Sequence, residues 1–426
     1  MKKIKLNTIF CLFLVFFVAL IPAVAQEVQE ESRLEAYNKL RKVIGTIEKY
    51  YVDELTLNEI VNKAIDGLLT NLDAHSAYLD EKKFEELKIQ TDGEFGGIGI
   101  TISLKEGSLT IIAPIEGTPG DKAGLKSGDI ILKINDESTL NMSIDDAVNR
   151  MRGKPKTKVQ LTIVRKNSPE PLVFDIVRDN IKVESVYAKR VEDTNYAYIR
   201  VTSFDKKVSQ RVEDELKKYP KLEGVILDLR NNPGGLLNQA VELSDLFLDK
   251  GVIVSQKGRM KDENIVYEAK KSAPFAKIPL VVLVNNGSAS ASEIVAGAIQ
   301  DNKRGVIIGE TTFGKGSVQV ILPTEKKEAL RLTIARYYLP SGRTIQAVGV
   351  KPDIEVLPGS VPNNEKAFNI KEADLQKHLA SELEKVESKK TTKDSKTPAN
   401  TLSQEQIMND IQLKSAIDVL KIIKII

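Results

Sequence analysis

The sequence predicts a multidomain chain of mixed class, α+β with an α/β core: an N-terminal helical segment, a small β-domain, the α/β core and a C-terminal helical tail. Three observations predict it. Apolar residues recur at helical spacing between residues 31 and 70. A glycine-opened series of short apolar runs fills residues 92–178. From about 183 to 356 strand-like and helix-like runs alternate, and Ile278–Val284 is so continuously apolar that it suits a strand buried on both faces.

The first segment, residues 1–25, has its own logic. Lys2, Lys3 and Lys5 precede an apolar run from Ile9 to Ile21, followed by Pro22 and Ala23-Val24-Ala25. A basic start, an apolar stretch and an A-x-A site predict a signal peptide cut before Gln26, and hence export to a periplasm or cell-envelope space. The run is shorter than the ~20 residues that span a bilayer. If the segment were retained, the protein would be membrane-associated.

Composition narrows the function classes. The 426 residues carry 62 basic and 59 acidic side chains, and the three lysines of the first 25 residues face no acid there. The remainder is neutral, which argues against nucleic acid as a partner. Cys11 is the only cysteine, and His75 and His378 are the only histidines. Disulfides, thiolate metal sites and an HExxH zinc site are therefore excluded, and no metal or cofactor is expected.

Residues 26–88 are expected to be helical. Leu34, Leu40, Val43, Ile44 and Ile47 recur at helical spacing, as do Ile60, Val61, Ala64, Ile65, Leu68 and Leu69. The turn-forming Leu72-Asp73-Ala74-His75-Ser76-Ala77-Tyr78 follows, with His75 read as a structural hydrogen-bonding residue. Residues 89–178 open with Gly93, Gly96, Gly97 and Gly99. They continue as the strands Gly99–Leu104, Leu109–Ile112, Asp129–Ile134 and Val159–Arg165. A short helix falls within Thr118–Asp129, and another, Ile144–Met151, starts from Ser143 as N-cap. The stretches Gly96-Gly97-Ile98-Gly99-Ile100 and Ala123-Gly124-Leu125…Gly128-Asp129-Ile130-Ile131 resemble a PDZ domain. That resemblance implies that Gly96, Gly97, Ile98, Gly99 and Ile100 bind a peptide C-terminus: backbone N–H groups hold the carboxylate and the next strand edge pairs with the peptide.

Residues 179–356 form the α/β core, with strands at Tyr196–Val201, Gly224–Leu229, Ile278–Val284, Val306–Gly309, Ser317–Leu322 and Leu332–Tyr338. Helices fall at Gln210–Tyr219, Leu236–Leu248 and Ile294–Gln300. Residues 357–402 are polar, charged and proline-bearing, as in a linker. Residues 403–426 return to an amphipathic helix that packs either on the core or on a second subunit, so a homo-oligomer stays open.

Three core motifs carry chemistry. Asn285-Asn286-Gly287-Ser288-Ala289-Ser290-Ala291-Ser292-Glu293 joins a strand to a helix, where a serine hydroxyl is exposed beside a helix N-terminus. A helix-capping turn has the same appearance, and spacing does not choose among Ser288, Ser290 and Ser292. Lys315, between Gly314 and Gly316 beside an apolar sheet, is a candidate base: burial would lower its pKa from ~10.4. Leu227–Leu236 holds Gly234 and Gly235, whose backbone N–H groups suit an oxyanion. Gly309-x4-Gly314-Lys315 approaches the phosphate-loop pattern but has Gly316 where Ser or Thr should hold Mg²⁺, and a strand follows where a helix is required.

Together with Ala335-Arg336-Tyr337-Tyr338-x-Pro340-Ser341-Gly342-Arg343-x-Ile345-Gln346, these motifs resemble the C-terminal processing peptidase family, PDZ-containing serine proteases with a Ser-Lys dyad. The resemblance implies Ser290 as nucleophile, Lys315 as general base and Gln319 as the residue orienting that base. It also implies an oxyanion hole from Ala291 with a glycine of Gly234-Gly235. The function it implies is an exported serine endopeptidase that cleaves protein or peptide substrates near free, apolar C-termini. The rival reading is a catalytically silent PDZ scaffold that binds the C-termini of exported proteins.

Overall fold

The computed structural model describes residues 32–361 and 400–425, apart from residues 106, 167, 325 and 326. The signal segment and most of the expected linker lie outside the described residues. The chain divides into two compact units: residues up to Asp80 with Gln319–Thr333, and Glu81–Val318 with Ile334–Ile426.

In the smaller unit, residues 32–50 are helical as the spacing predicts, yet Leu34, Tyr37, Leu40, Val43 and Ile47 remain exposed. The helix Leu57–Thr70 starts at a capping box, in which the Thr56 hydroxyl accepts from the Glu59 N–H and the Glu59 carboxylate accepts from the Thr56 N–H. It buries Ile60 and Leu69. The strand Ala77–Leu79 then pairs antiparallel with Ala329–Arg331.

The larger unit contains the PDZ domain and the core. The PDZ strands Ile100–Lys105, Ser108–Pro114, Ile130–Ile134, Lys158–Val164 and Leu172–Val177 form one antiparallel sheet. Its inward residues, among them Leu109, Ile111, Ile131, Leu161 and Ile163, close over the helix Ile144–Met151 through Ala147 and Met151. Ser143 caps that helix by accepting from the Asp146 N–H. Both ends of the domain leave through one antiparallel ribbon, Glu94–Gly97 against Asp179–Lys182, and at its root the Val183 N–H donates to the Gly93 carbonyl at 2.8 Å.

The core is a seven-stranded sheet in the order Ile354–Glu355, Val306–Gly309, Leu280–Val284, Gly224–Asp228, Tyr196–Val201, Val186–Val191, Thr401–Leu402. All neighbours are parallel except Val186–Val191 against Tyr196–Val201. Alternation divides each strand between two layers. Val225, Leu227, Leu280, Val282 and Val284 face the helices Val208–Lys217, Leu237–Asp245 and Ala291–Asp301. Ile226, Val281, Leu283 and Ile308 face Leu413, Ala416, Ile417 and Leu420 of the C-terminal helix Ile411–Ile425. Cover on both faces is why the central strand reads as uninterrupted apolar sequence. Burying each leucine or isoleucine of that outer helix stabilises the fold by ~1.5–3 kcal/mol.

The C-terminal segment therefore packs on the core of its own chain. The single helix expected over 403–426 is two, Gln404–Met408 and Ile411–Ile425. Asp410 makes the break: its side chain accepts from the Leu413 N–H and restarts the helix. The same carboxylate receives two bonds from Arg230, at 3.0 and 2.8 Å. Burial pushes the Asp410 carboxyl up, but the Arg230 guanidinium and the Leu413 N–H outweigh it and hold it below the usual carboxylate range. An acid depressed in this way stabilises the fold above its unfolded pKa of ~3.9 and loses that contribution as pH falls through the lower folded value. The melting-temperature gap between wild type and Asp410→Asn should be constant from about pH 7 to about pH 5 and narrow below about pH 4. A thermal-denaturation series across that range measures it, and a gap unchanged in acid would contradict the pairing.

Candidate active site

Three loops leave the carboxyl ends of adjacent parallel strands, the usual position of a site in such sheets. They follow Gly224–Asp228, Leu280–Val284 and Val306–Gly309. The first two are bolted together. The Asn232 carbonyl accepts from the Ala289 N–H at 3.0 Å and the Ser292 hydroxyl at 2.9 Å, and the Ser288 hydroxyl donates to the Leu229 carbonyl at 2.8 Å. Asn231 and Asn285 exchange two further bonds. Ser288 and Ser292 are thus structural and fully buried at 0%, whereas Ser290 retains 9% exposure. Geometry separates the three serines where spacing did not.

Ser290 sits immediately before the helix Ala291–Asp301 with φ 55 and ψ −111. A serine in this backbone region is strained by ~1–3 kcal/mol. What holds it is Glu293, a residue to which the sequence reading gave no role. Its carboxylate is completely buried and takes four donors. Oε2 accepts the Ser290 N–H and the Lys315 N–H, both at 2.8 Å. Oε1 accepts the Gly314 N–H at 2.7 Å and the Thr312 hydroxyl at 2.6 Å. One oxygen therefore brings the backbones of the expected nucleophile and base together. The signal was present as the Ser-x-x-Glu spacing of a capping box.

The Lys315 loop is pinned from its other sides too. The Phe313 N–H donates to the Ser288 carbonyl at 3.0 Å, the Gly316 N–H to Gln346 Oε1 at 3.1 Å, and the Ala347 N–H to the Gly314 carbonyl at 2.9 Å. Gln346 closes the sequence motif that began at Ala335, so this motif braces the loop. The strand Ser317–Pro323 follows directly, which leaves no helix N-terminus for a phosphate.

The glycine pair behaves asymmetrically. The Gly234 N–H is taken by Asn232 Oδ1 at 2.9 Å, while the Gly235 and Ala291 N–H groups have no acceptor among the described residues. Gly234 has φ +99, and a Cβ there would lie 2.9 Å from both the Ala291 nitrogen and the Ser290 Cβ. The Ala289 carbonyl oxygen would be nearer still, at 2.7 Å, so no side chain fits at residue 234 without moving the Ser290 turn.

Gln319 belongs to the smaller unit. Its Nε2 donates to Thr333 Oγ1 at 3.2 Å, and Thr333 donates onward to Asp73 Oδ1 at 3.2 Å. Asp73 also accepts from the N–H groups of His75 and Ser76 and from the Ser76 hydroxyl. The Leu72–Tyr78 turn is thereby linked to Gln319. In the PDZ domain, Gly96 and Gly97 end the ribbon strand opposite Asn180 and Asp179. Gly99, at φ +72, turns the chain into Ile100–Lys105. Ile98 is buried in the PDZ core and Ile100 packs at its margin. No cluster of metal-ligating side chains occurs among the described residues.

Comparison with known proteins agrees with this architecture. Residues 195–356 match peptidase family S41 and residues 110–165 match the PDZ domain. The carboxy-terminal-processing protease of Bartonella bacilliformis is 40% identical over 381 residues, 87% of each chain. Carboxy-terminal processing protease CtpA of Bacillus subtilis is 37% identical over 75% of this chain and 68% of its own. A solved photosystem II D1 C-terminal processing protease aligns over 76% of this chain and 88% of its own, with 27% identity and a TM-score of 0.46. Fold and family define a serine protease that carries a PDZ domain. The chain belongs to the carboxy-terminal processing proteases of peptidase family S41.

Two substitutions test the site. Glu293→Gln sets an amide NH2 against the Ser290 and Lys315 N–H groups in one orientation and against the Gly314 N–H in the other, where the Thr312 hydroxyl can turn to accept. Each unsatisfied buried group costs ~1–3 kcal/mol, so stability should drop by at least about that much. At a temperature where the variant is still folded, kcat should fall about a hundredfold through misplacement of Ser290 and Lys315; denaturant titration and steady-state cleavage measure the two effects. Gly234→Ala should lower kcat by ~10²–10³ while the protein stays folded by circular dichroism, because a methyl 2.7 to 2.9 Å from the Ala289 carbonyl oxygen, the Ala291 nitrogen and the Ser290 Cβ must displace the Ser290 turn. Near-wild-type cleavage by this variant would place the oxyanion elsewhere.

Proposed function

We propose that the protein is an exported serine endopeptidase that cleaves protein or peptide substrates near their C-termini through Ser290 and Lys315. The observation that carries this reading is the shared Glu293 oxygen, which gathers the Ser290 and Lys315 backbones at one point. Lys315, as a neutral amine, takes the Ser290 proton, and Gln319 orients it, as the family resemblance implies. The Ser290 oxygen attacks the peptide carbonyl, and the Ala291 and Gly235 N–H groups receive the oxyanion. The protonated Lys315 returns its proton to the leaving amine, which gives an acyl-enzyme. Water, activated by the same lysine, then releases the acyl group.

The PDZ domain selects the substrate. Gly96, Gly97 and Gly99 supply backbone donors for a free C-terminal carboxylate, and Ile98 and Ile100 favour an apolar final residue. Residues 1–25 deliver the chain across a membrane into a periplasm or cell-envelope space.

Cleavage of an unfolded protein by wild type, Ser290→Ala and Lys315→Arg tests the dyad. Both variants should be folded and essentially inactive, since one lacks the nucleophile and arginine does not give up its proton in proteins. Wild-type turnover in Ser290→Ala would remove the nucleophile assignment, and turnover in Lys315→Arg would assign the base to another group.

A further inference from the structure

We propose that Asp410, in the C-terminal segment, is a positioning residue for peptide-bond cleavage: it fixes the root of the oxyanion loop through Arg230. The inference rests on the Ser290–Lys315 reading of the site. Arg230 is the second residue after the strand Gly224–Asp228 and stands four residues before Gly234. All five of its N–H groups are engaged. Nε donates to Asp228, Nη1 to Asp410 and Gln412, and Nη2 to Asp228 and Asp410, at 2.6 to 3.1 Å. Asp228 is fully buried and is anchored by the Tyr198 hydroxyl at 2.7 Å. A planar fork with every donor occupied cannot pivot without breaking bonds on two sides.

From this anchor the chain runs straight into the catalytic loops. Asn231 adopts φ 55 and is clasped by Asn285. Asn232 is fully buried, bonds Val201 O through its side-chain nitrogen, and takes the Gly234 N–H on its side-chain oxygen. A rotation at residue 230 would thus move both Gly234-Gly235 and the Ser288–Ser292 turn. The partner that blocks that rotation lies 180 residues further along the chain. A polar crevice of about 440 Å³, lined in part by Arg200, Arg230, Asn285 and Asp410, opens over the pair. Water can therefore reach the carboxylate, so its neutralisation is compatible with a folded chain.

The test compares steady-state cleavage by full-length wild type, Asp410→Asn, Asp410→Glu and Leu420→Ala, with Ser290→Ala in parallel. Leu420 is buried in the helix that Asp410 starts and makes none of the clamp's polar bonds, so its truncation reports general loosening of that layer. At a temperature where all variants are folded, Asp410→Asn should lower kcat about tenfold or more with KM within about twofold. Asp410→Glu should restore most of it, and Leu420→Ala should retain wild-type kcat despite a lower melting temperature. Wild-type kcat in Asp410→Asn, or an equal loss in Leu420→Ala, overturns the proposal. Turnover by Ser290→Ala overturns the dyad reading instead, whatever the Asp410 variants do.

Discussion

The structure depends on one buried carboxylate. Glu293 takes two donors on each oxygen: the Ser290 N–H from the serine turn, and the Thr312 hydroxyl and the Gly314 and Lys315 N–H groups from the lysine loop. With it, a strained serine and a glycine-flanked lysine are held on two loops that the Phe313 N–H to Ser288 carbonyl bond also ties. A buried charge is tolerated only when its lone pairs are filled, and here they are filled by the groups whose placement matters. The same residue starts the helix Ala291–Asp301, so the device that caps a helix also holds the Ser290 turn against the Lys315 loop.

Around that point the sheet acts as a frame with unequal sides. The inner layer carries the helix that follows Ser290, and the outer layer is built from the last residues of the chain. The outer helix contributes apolar cover along its length and a polar contact at its start, where Asp410 and Gln412 meet Arg230. Packing and loop geometry are thereby joined across the sheet.

Much of this was legible before any coordinates. The period-two and period-3.6 patterns located most strands and helices within a few residues, and Tyr196–Val201, Val306–Gly309 and Ile144–Met151 agree residue for residue. Strands with polar sequence, such as Val252–Gly258, and the charged Val186–Val191 escaped, because partial exposure weakens their alternation. At the site, the three loops are legible in the motifs, but what distinguishes the residues within them is not. Ser290 stands apart only once Ser288 and Ser292 are seen bonding neighbouring loops. Gly234 and Gly235 differ once Asn232 is seen to take the Gly234 N–H. Long-range polar contacts, such as Arg230 with Asp410, leave no periodic trace in sequence.

The ribbon that carries the PDZ domain has an evolutionary consequence. Its two strands enter and leave side by side, and at the root Val183 and Gly93 are one hydrogen bond apart. The 89 intervening residues thus form an insertion whose ends already meet. Such a module can be lengthened, replaced or lost while the surrounding chain needs little more than a tight turn to close the gap. Recognition and hydrolysis are consequently free to diverge at different rates within one polypeptide.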